Sequence, residues 1–345
     1  MTKPQRKSGL PRGPQPDERG AALLSVLLLV AVMAVIAATA LDRLTLATRL
    51  AGSAALVDQG RAYSHAAEEI TLSRVAQLVR RDASRLTLAG GWLGQDFALP
   101  LPQGHGRARL EDASNCFNIN SLVAEASPRR FTQRPGAVMQ FAALMELLGV
   151  PKNEAQSVAA ATADFLDSDT VEAPLGAEDS AYRSGGGGYL AANRLISDKS
   201  EWRAVRGVTP ALYARMAPWI CVLPVAQPVR LNANTLTEPQ AVLVAMLMPG
   251  EMSLAKARAA LAMRPADGYG SSERFWRSGP LADLNPRPDV AEQIAMNSRW
   301  LLLETEVEMG DSLIMSRSLI DAYGGALIAG DAAPQIISRK WGEWD

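Results

Sequence analysis

The run Ala21–Leu41, AALLSVLLLVAVMAVIAATAL, is the feature that most limits what this chain can become. Its 21 residues carry no charge, and Ser25 and Thr39 are its only polar side chains. As a helix rising ~1.5 Å per residue it is about 31 Å long, the hydrocarbon thickness of a bilayer. A buried core helix is the plainer reading, but no other run in the chain approaches this length. A cleavable secretory signal also follows a basic segment, yet its apolar part usually has ~7–15 residues and ends at a small-residue cleavage site. Here the run is longer and no clear site of that kind follows. The stretch therefore reads as a membrane-spanning helix. Lys3, Arg6, Lys7, Arg12 and Arg19 stand against Asp17 and Glu18 before it. That positive excess places residues 1–20 in the cytoplasm and everything beyond Leu41 outside it.

The junction Arg19-Gly20, followed at once by the apolar run, resembles the processing site of type IV pilin-like proteins. The resemblance implies that a prepilin peptidase cuts after Gly20 and leaves Ala21 as an N-methylated terminus. Members of that family usually carry Phe or Met at the first mature position and Glu at the fifth. This chain has Ala21 and Ser25. A missing glutamate is typical of one branch, the minor pseudopilin K family of type II secretion systems.

With 345 residues, roughly 300 remain for a soluble part, enough for two modest domains. The net charge of −1 gives no global field to attract nucleic acid or anionic lipid. Beyond Leu41 the chain stays helical and turns amphipathic, with Leu56, Tyr63, Ala66, Ile70, Leu72, Val75 and Val79 between charged positions. Gly90-Gly91 is the expected stop. Residues 92–120 read as two or three short strands closing on CFNINSL. From Leu122 to about Cys221 the pattern is helical, over Val138–Val150, Ser157–Leu166, Leu195–Val205 and Pro210–Ile220. A second helical block runs from Leu231 to about Trp276. Both blocks begin with Asn-x-Asn and a helix pair, a weak internal repeat. Strands return at Trp300–Met309, Leu313–Tyr323 and Pro334–Trp341, the first two joined by a Gly310-Asp311 turn.

This order is similar to the pseudopilin K family over essentially the whole chain. The resemblance implies an α+β fold, a pilin-like long N-terminal helix packed on an antiparallel sheet with a large all-α insertion. Its parts are a leader (1–20), a transmembrane helix (21–41), and a pseudopilin head (42–120 and 295–345). The inserted helical domain (121–294) has sub-blocks at about 121–225 and 230–280. The implied role is assembly at the tip of the pseudopilus. The implied partners are other minor pseudopilins, the major pseudopilin, prepilin peptidase, the inner membrane and exported protein cargo; nucleic acid is not expected. The head is expected in the periplasm.

One acidic segment stands out. Asp164, Asp167, Asp169, Glu172, Glu178 and Asp179 put six carboxylates into sixteen residues without a Lys or Arg. Such crowding suits either a solvated loop or a hard cation with ~6–8 oxygen ligands. Spacing excludes an EF-hand. The segment's resemblance to the D-x-D…G-A-E-D stretch of the pseudopilin K family implies a structural Ca²⁺. Its expected ligands are Asp167, Asp169, Glu178 and Asp179, with Asp164, Glu172 and the Thr170 carbonyl as further candidates.

Cys116 and Cys221 lie 105 residues apart, open to a disulfide in an oxidising compartment or to two buried thiols. Asn232–Pro265 resembles a helix-hairpin-helix DNA-binding module, which makes a membrane-anchored DNA receptor the alternative function. Its hairpin, Met248-Pro249-Gly250-Glu251-Met252, has one glycine and an acid where phosphate would lie; Lys256, Arg258 and Arg264 are the candidate phosphate contacts. His65 and His105 are the only histidines, and neither a hydrolase elbow nor a P-loop occurs. No enzyme is expected.

Overall fold

The computed structural model describes residues 16–82, 84–184, 188–324 and 333–342. Helix α1 (Pro16–Arg81) is a single element of 66 residues. Residues 20–50 are exposed on every side, and only the C-terminal half meets the head. There Leu56, Val57 and Tyr63 pack on Val307, Met309 and Ile314. Val75 and Val79 pack on Leu110, Leu301, Leu303 and Ile320.

α1 ends nine residues before the expected Gly90-Gly91 stop. No glycine is needed, because the Asp82 carboxylate accepts from Ser84 N at 3.1 Å and from its hydroxyl at 2.7 Å. A short acidic side chain that satisfies nearby donors competes with the helix for them. Leu86 N then bonds the Met296 carbonyl at 2.8 Å, which draws the chain toward the insertion.

α1 lies on a five-stranded antiparallel sheet of β1 (Asp96–Ala98), β2 (His105–Asp112), β9 (Trp300–Met309), β10 (Ser312–Asp321) and β11 (Gln335–Trp341), in the order β1-β2-β9-β10-β11. Strand β9 alternates buried and less buried positions along its second half, so one face meets α1 and the other faces outward. The chain leaves the sheet at Asp112 and rejoins it at Trp300, where Ala113 N bonds the Trp300 carbonyl at 3.0 Å.

Everything between is built as two blocks of one plan. The first runs from β3 (Phe117–Asn118) through a hairpin, β4 (Val123–Ser127) and β5 (Arg130–Gln133). Helices α2 (Pro135–Leu147), α3 (Lys152–Leu166), α4 (Asp179–Ser184) and α5 (Pro210–Met216) follow, and β6 (Ile220–Cys221) closes it parallel to β3. The second opens with β7 (Leu231–Asn232). It continues through α6 (Ala241–Ala245), α7 (Leu254–Ala262), α8 (Ser272–Trp276) and α9 (Pro288–Ala291), and β8 (Ile294–Ala295) closes it parallel to β7. The Asn-x-Asn motifs explain the repetition. Asn120 accepts from Ile196 N at 3.0 Å and donates to its carbonyl at 2.9 Å. Asn234 makes the same two-way pair with Tyr269, at 2.6 and 3.1 Å. In each block a buried carboxamide stands in for a strand partner and satisfies loop backbone that water cannot reach.

Three expectations change here. The Cys116–Ile119 segment does not close the main sheet, since β3 pairs with β6 inside the insertion. Residues after Leu122 begin with the β4–β5 hairpin, because Val123, Phe131 and Gln133 meet the core and the end of α3 from extended backbone. The stretch 195–205 holds only a 3-10 turn at Lys199–Ala204.

Asp112 joins head and insertion. Its carboxylate accepts from Thr235 and Ser298 hydroxyls, both at 2.5 Å, and from Ser114 N at 2.9 Å. Burial pushes its carboxyl above the usual range. Cys116 and Cys221 are bonded beside the β3–β6 pair, with Cα atoms 5.8 Å apart.

Candidate metal centre

The acidic segment begins in the last turn of α3, runs through an irregular loop and ends at the start of α4. Asp167, Asp169 and Glu178 each bring one carboxylate oxygen within 4.8 Å of the others. Asp167 and Glu178 are buried, while Asp169 is exposed. Both Glu178 oxygens and Asp167 Oδ1 are shut off from solvent with no hydrogen-bond partner among the described residues. Buried carboxylates without donors are costly when ionised. Burial, reinforced by the neighbouring acids, pushes the Asp167 carboxyl up to about 6 and that of Glu178 up to about 7. Orphaned oxygens converging on one point fit a hard cation, which takes oxygen donors and reverses the repulsion.

The remaining candidates do other work. Asp164 is fully buried and both its oxygens are engaged. Oδ1 accepts from Gln133 Nε2 at 2.6 Å, and Oδ2 accepts from Ala177 N at 2.8 Å and Ala173 N at 3.2 Å. It is the post around which the loop carrying Glu178 is wound. Gly176 passes so close that a Cβ there would sit 2.0 Å from Asp164 Oδ2. Asp179, expected among the ligands, lies outside the trio. Its Oδ2 pairs with Arg183 at 3.2 Å, and its Oδ1 accepts from Ala191 N at 3.1 Å. Standing first in α4, its carboxylate turns to the helix's own arginine instead. Thr170 and Glu172 are exposed on the loop.

Gln133 is the residue that sequence reasoning missed. Its Nε2 bridges Asp164 Oδ1 at 2.6 Å and Asp167 Oδ2 at 2.7 Å from the end of β5. Ser168 adds a second tie, its hydroxyl accepting from Phe131 N at 2.9 Å. Nothing in the local pattern links position 133 to 164 and 167; only the return of β5 past the end of α3 does.

Two family models described as "Type II secretion system (T2SS), protein K" match residues 115–225 and 231–297, one on each helical block. A curated type II secretion system protein K from Pectobacterium carotovorum is 33% identical over 94% of this chain and 97% of its own length. The chain belongs to the type II secretion system protein K family. Protein K of Klebsiella pneumoniae is 32% identical over 94% of this chain and 97% of its own. A chain of the crystallographic GspK-GspI-GspJ complex from enterotoxigenic Escherichia coli aligns at a TM-score of 0.70. It is 30% identical and covers 83% of this chain and 97% of that one. A match of that extent shows that the α+β fold, long helix and insertion together, is the protein K fold.

The DNA-receptor reading finds no support. Arg264 spends Nη1 on the Ala233 and Leu236 carbonyls, at 3.1 and 2.7 Å, and Lys256 is paired with Asp283 at 2.5 Å. Two of the three cations needed for phosphate therefore hold the second block together.

Proposed function

We propose that this protein K is a minor pseudopilin at the tip of the type II secretion pseudopilus. There it nucleates or caps assembly with other minor pseudopilins and supports export of protein cargo across the outer membrane. The observation that carries the reading is Ser25. Its hydroxyl turns back onto the Ala21 carbonyl at 2.9 Å, so the fifth position after Gly20 offers no carboxylate to a neighbour's terminal amine. In pilin-like filaments that glutamate docks each new subunit beneath an older one, and a charge in an apolar bundle needs such a partner. A chain without it starts the filament. The two-block insertion adds bulk that obstructs a head above it. Likeness to a chain from a complex of GspK, GspI and GspJ supports minor pseudopilins as partners.

In this reading α1 crosses the inner membrane once, with residues 1–20 cytoplasmic until prepilin peptidase removes them and the head periplasmic. The helix has the length and apolarity to cross, with a mean hydropathy of 2.9 over its most apolar window. The major pseudopilin then adds below. Asp167, Asp169 and Glu178 hold a structural Ca²⁺, which supplies the positive charge that their buried oxygens lack. Asp164, Gln133 and Gly176 shape the loop around it.

Gold labels on the head test the placement: one label at one end of each pseudopilus is expected, and labels spaced along the shaft would overturn it.

A further inference from the structure

A cleft of about 720 Å³ opens between the two helical blocks, lined by Arg134 and Gln140 from the first, Arg287 and Gln293 from the second, and Gln227 and Arg230 between them. Asp289 and Glu292 also line it, so three arginines face two carboxylates and the lining keeps an excess of one positive charge. α2 begins here, and the N-terminal end of a helix carries partial positive charge that favours anions. Yet α2 has no acid in its first turn and no side-chain cap, and the residue at its cap is Arg134. Arg287 approaches the same end, since a Cβ on Gly136 would lie 4.0 Å from its Nη2. Two guanidinium groups thus crowd the positive end of one helix. Asp289 offsets Arg287 only in part, through a single 2.9 Å contact in an exposed pair.

The donors are also incompletely used. Arg134 Nη2 donates to the Ala226 carbonyl at 3.2 Å, but its Nε is closed off from solvent without an acceptor among the described residues. Arg230 spends Nε on the Glu292 carbonyl at 3.2 Å. Gln140 and Gln293 give their amide nitrogens to the Leu247 and Asp289 carbonyls, which turns both carboxamides into fixed features of the wall.

We propose that this cleft binds an acidic peptide segment, with one carboxylate seated between Arg134 and Arg287 at the start of α2. Guanidinium forks match a carboxylate in two-point contact. A volume of this size lies within the ~300–1,000 Å³ typical of ligand pockets. None of the lining residues belongs to α1 or the five-stranded sheet, so the site does not depend on the placement proposed for the filament.

Fluorescence anisotropy on the full chain in detergent micelles tests this. The probe is a labelled peptide of alternating glutamate and glycine, compared with its glutamine counterpart. Charge-assisted hydrogen bonds predict roughly tenfold or greater preference for the acidic peptide. Arg134→Gln and Arg287→Gln should each remove about tenfold of that affinity. Arg258→Gln, on an exposed position of α7, should remove none. If Arg134→Gln disturbs folding, Arg287→Gln decides alone, because that side chain is 68% exposed. Equal binding of the two peptides, or full affinity in Arg287→Gln, overturns the proposal. Displacement by inorganic phosphate at the peptide's own concentration would also overturn it, by reducing the cleft to a simple oxyanion site.

Discussion

Arg339 grips Glu68 with two hydrogen bonds, Nε to Oε1 at 2.6 Å and Nη2 to Oε2 at 2.5 Å. The pair ties the last strand of the sheet to the C-terminal half of α1, and only 2% of the Glu68 side chain is exposed. Ser318 donates to the same carboxylate at 2.6 Å, and His65 lies 3.1 Å from it. Burial alone would raise the Glu68 pKa, but hydrogen bonds from Arg339, Ser318 and His65 outweigh it and hold the group below its ordinary 4.5.

Arg339→Ala should therefore destabilise the head by about 3 kcal/mol, since it strands a buried carboxylate without its cation. The sign with pH follows from the lowered value. The contribution is complete above the unfolded-state pKa and is lost as pH falls through the lower folded-state pKa. Denaturant unfolding of wild type and Arg339→Ala near neutral pH, and again below about pH 4, should show the difference shrinking in acid.

Calcium should raise the melting temperature of the protein, because an ion that binds only the folded state stabilises by mass action. Asp167→Asn with Asp169→Asn should abolish the rise, whereas Asp179→Asn should leave most of it, since Asp179 faces Arg183. Protons on Asp167 and Glu178 compete with the ion, so the response should weaken between about pH 7.5 and about pH 5.5. Thermal scans with calcium and with chelator read all of this.

Gly176→Ala should cost about 2 kcal/mol and blunt the calcium response as well. The added methyl collides with Asp164 Oδ2 and must displace the loop that carries Glu178. A variant with wild-type stability and an unchanged calcium shift would mean that Asp164 does not shape the site.

The Cys116–Cys221 bond closes a separation of 105 residues across the first helical block. Replacing both cysteines with serine should lower stability by about 2–4 kcal/mol, the usual range for native disulfides. Non-reducing peptide mapping should recover the two cysteines in one joined fragment; free thiols in protein taken from the periplasm would contradict it.

Processing is read by intact mass. Protein extracted from membranes should lack residues 1–20 and begin at a methylated Ala21. Cleavage near Ala40 instead would make the apolar run a secretory signal.

Several features were legible in the chain as written because they depend on neighbours in sequence. The apolarity of residues 21–41 needs no partner to mark a helix long and apolar enough to cross a membrane. The alternation in Trp300–Met309 declares a strand with one buried face, and the carboxylates of 164–179 announce themselves by density. Two Asn-x-Asn motifs even betrayed the doubled plan of the insertion. What tertiary structure alone decided is where each polar group finds its partner. Asp164 became the post of the loop because Gln133 comes back to it across 31 positions. Asp179 left the trio because Arg183 lies one helical turn away. β3 joined β6 rather than the main sheet because distant backbone offered hydrogen bonds there, and after α1 the Met296 carbonyl drew Leu86 toward the insertion. Hydrophobic period is written locally, but a buried donor or acceptor is satisfied by whatever the fold brings beside it, and that choice becomes visible only in three dimensions.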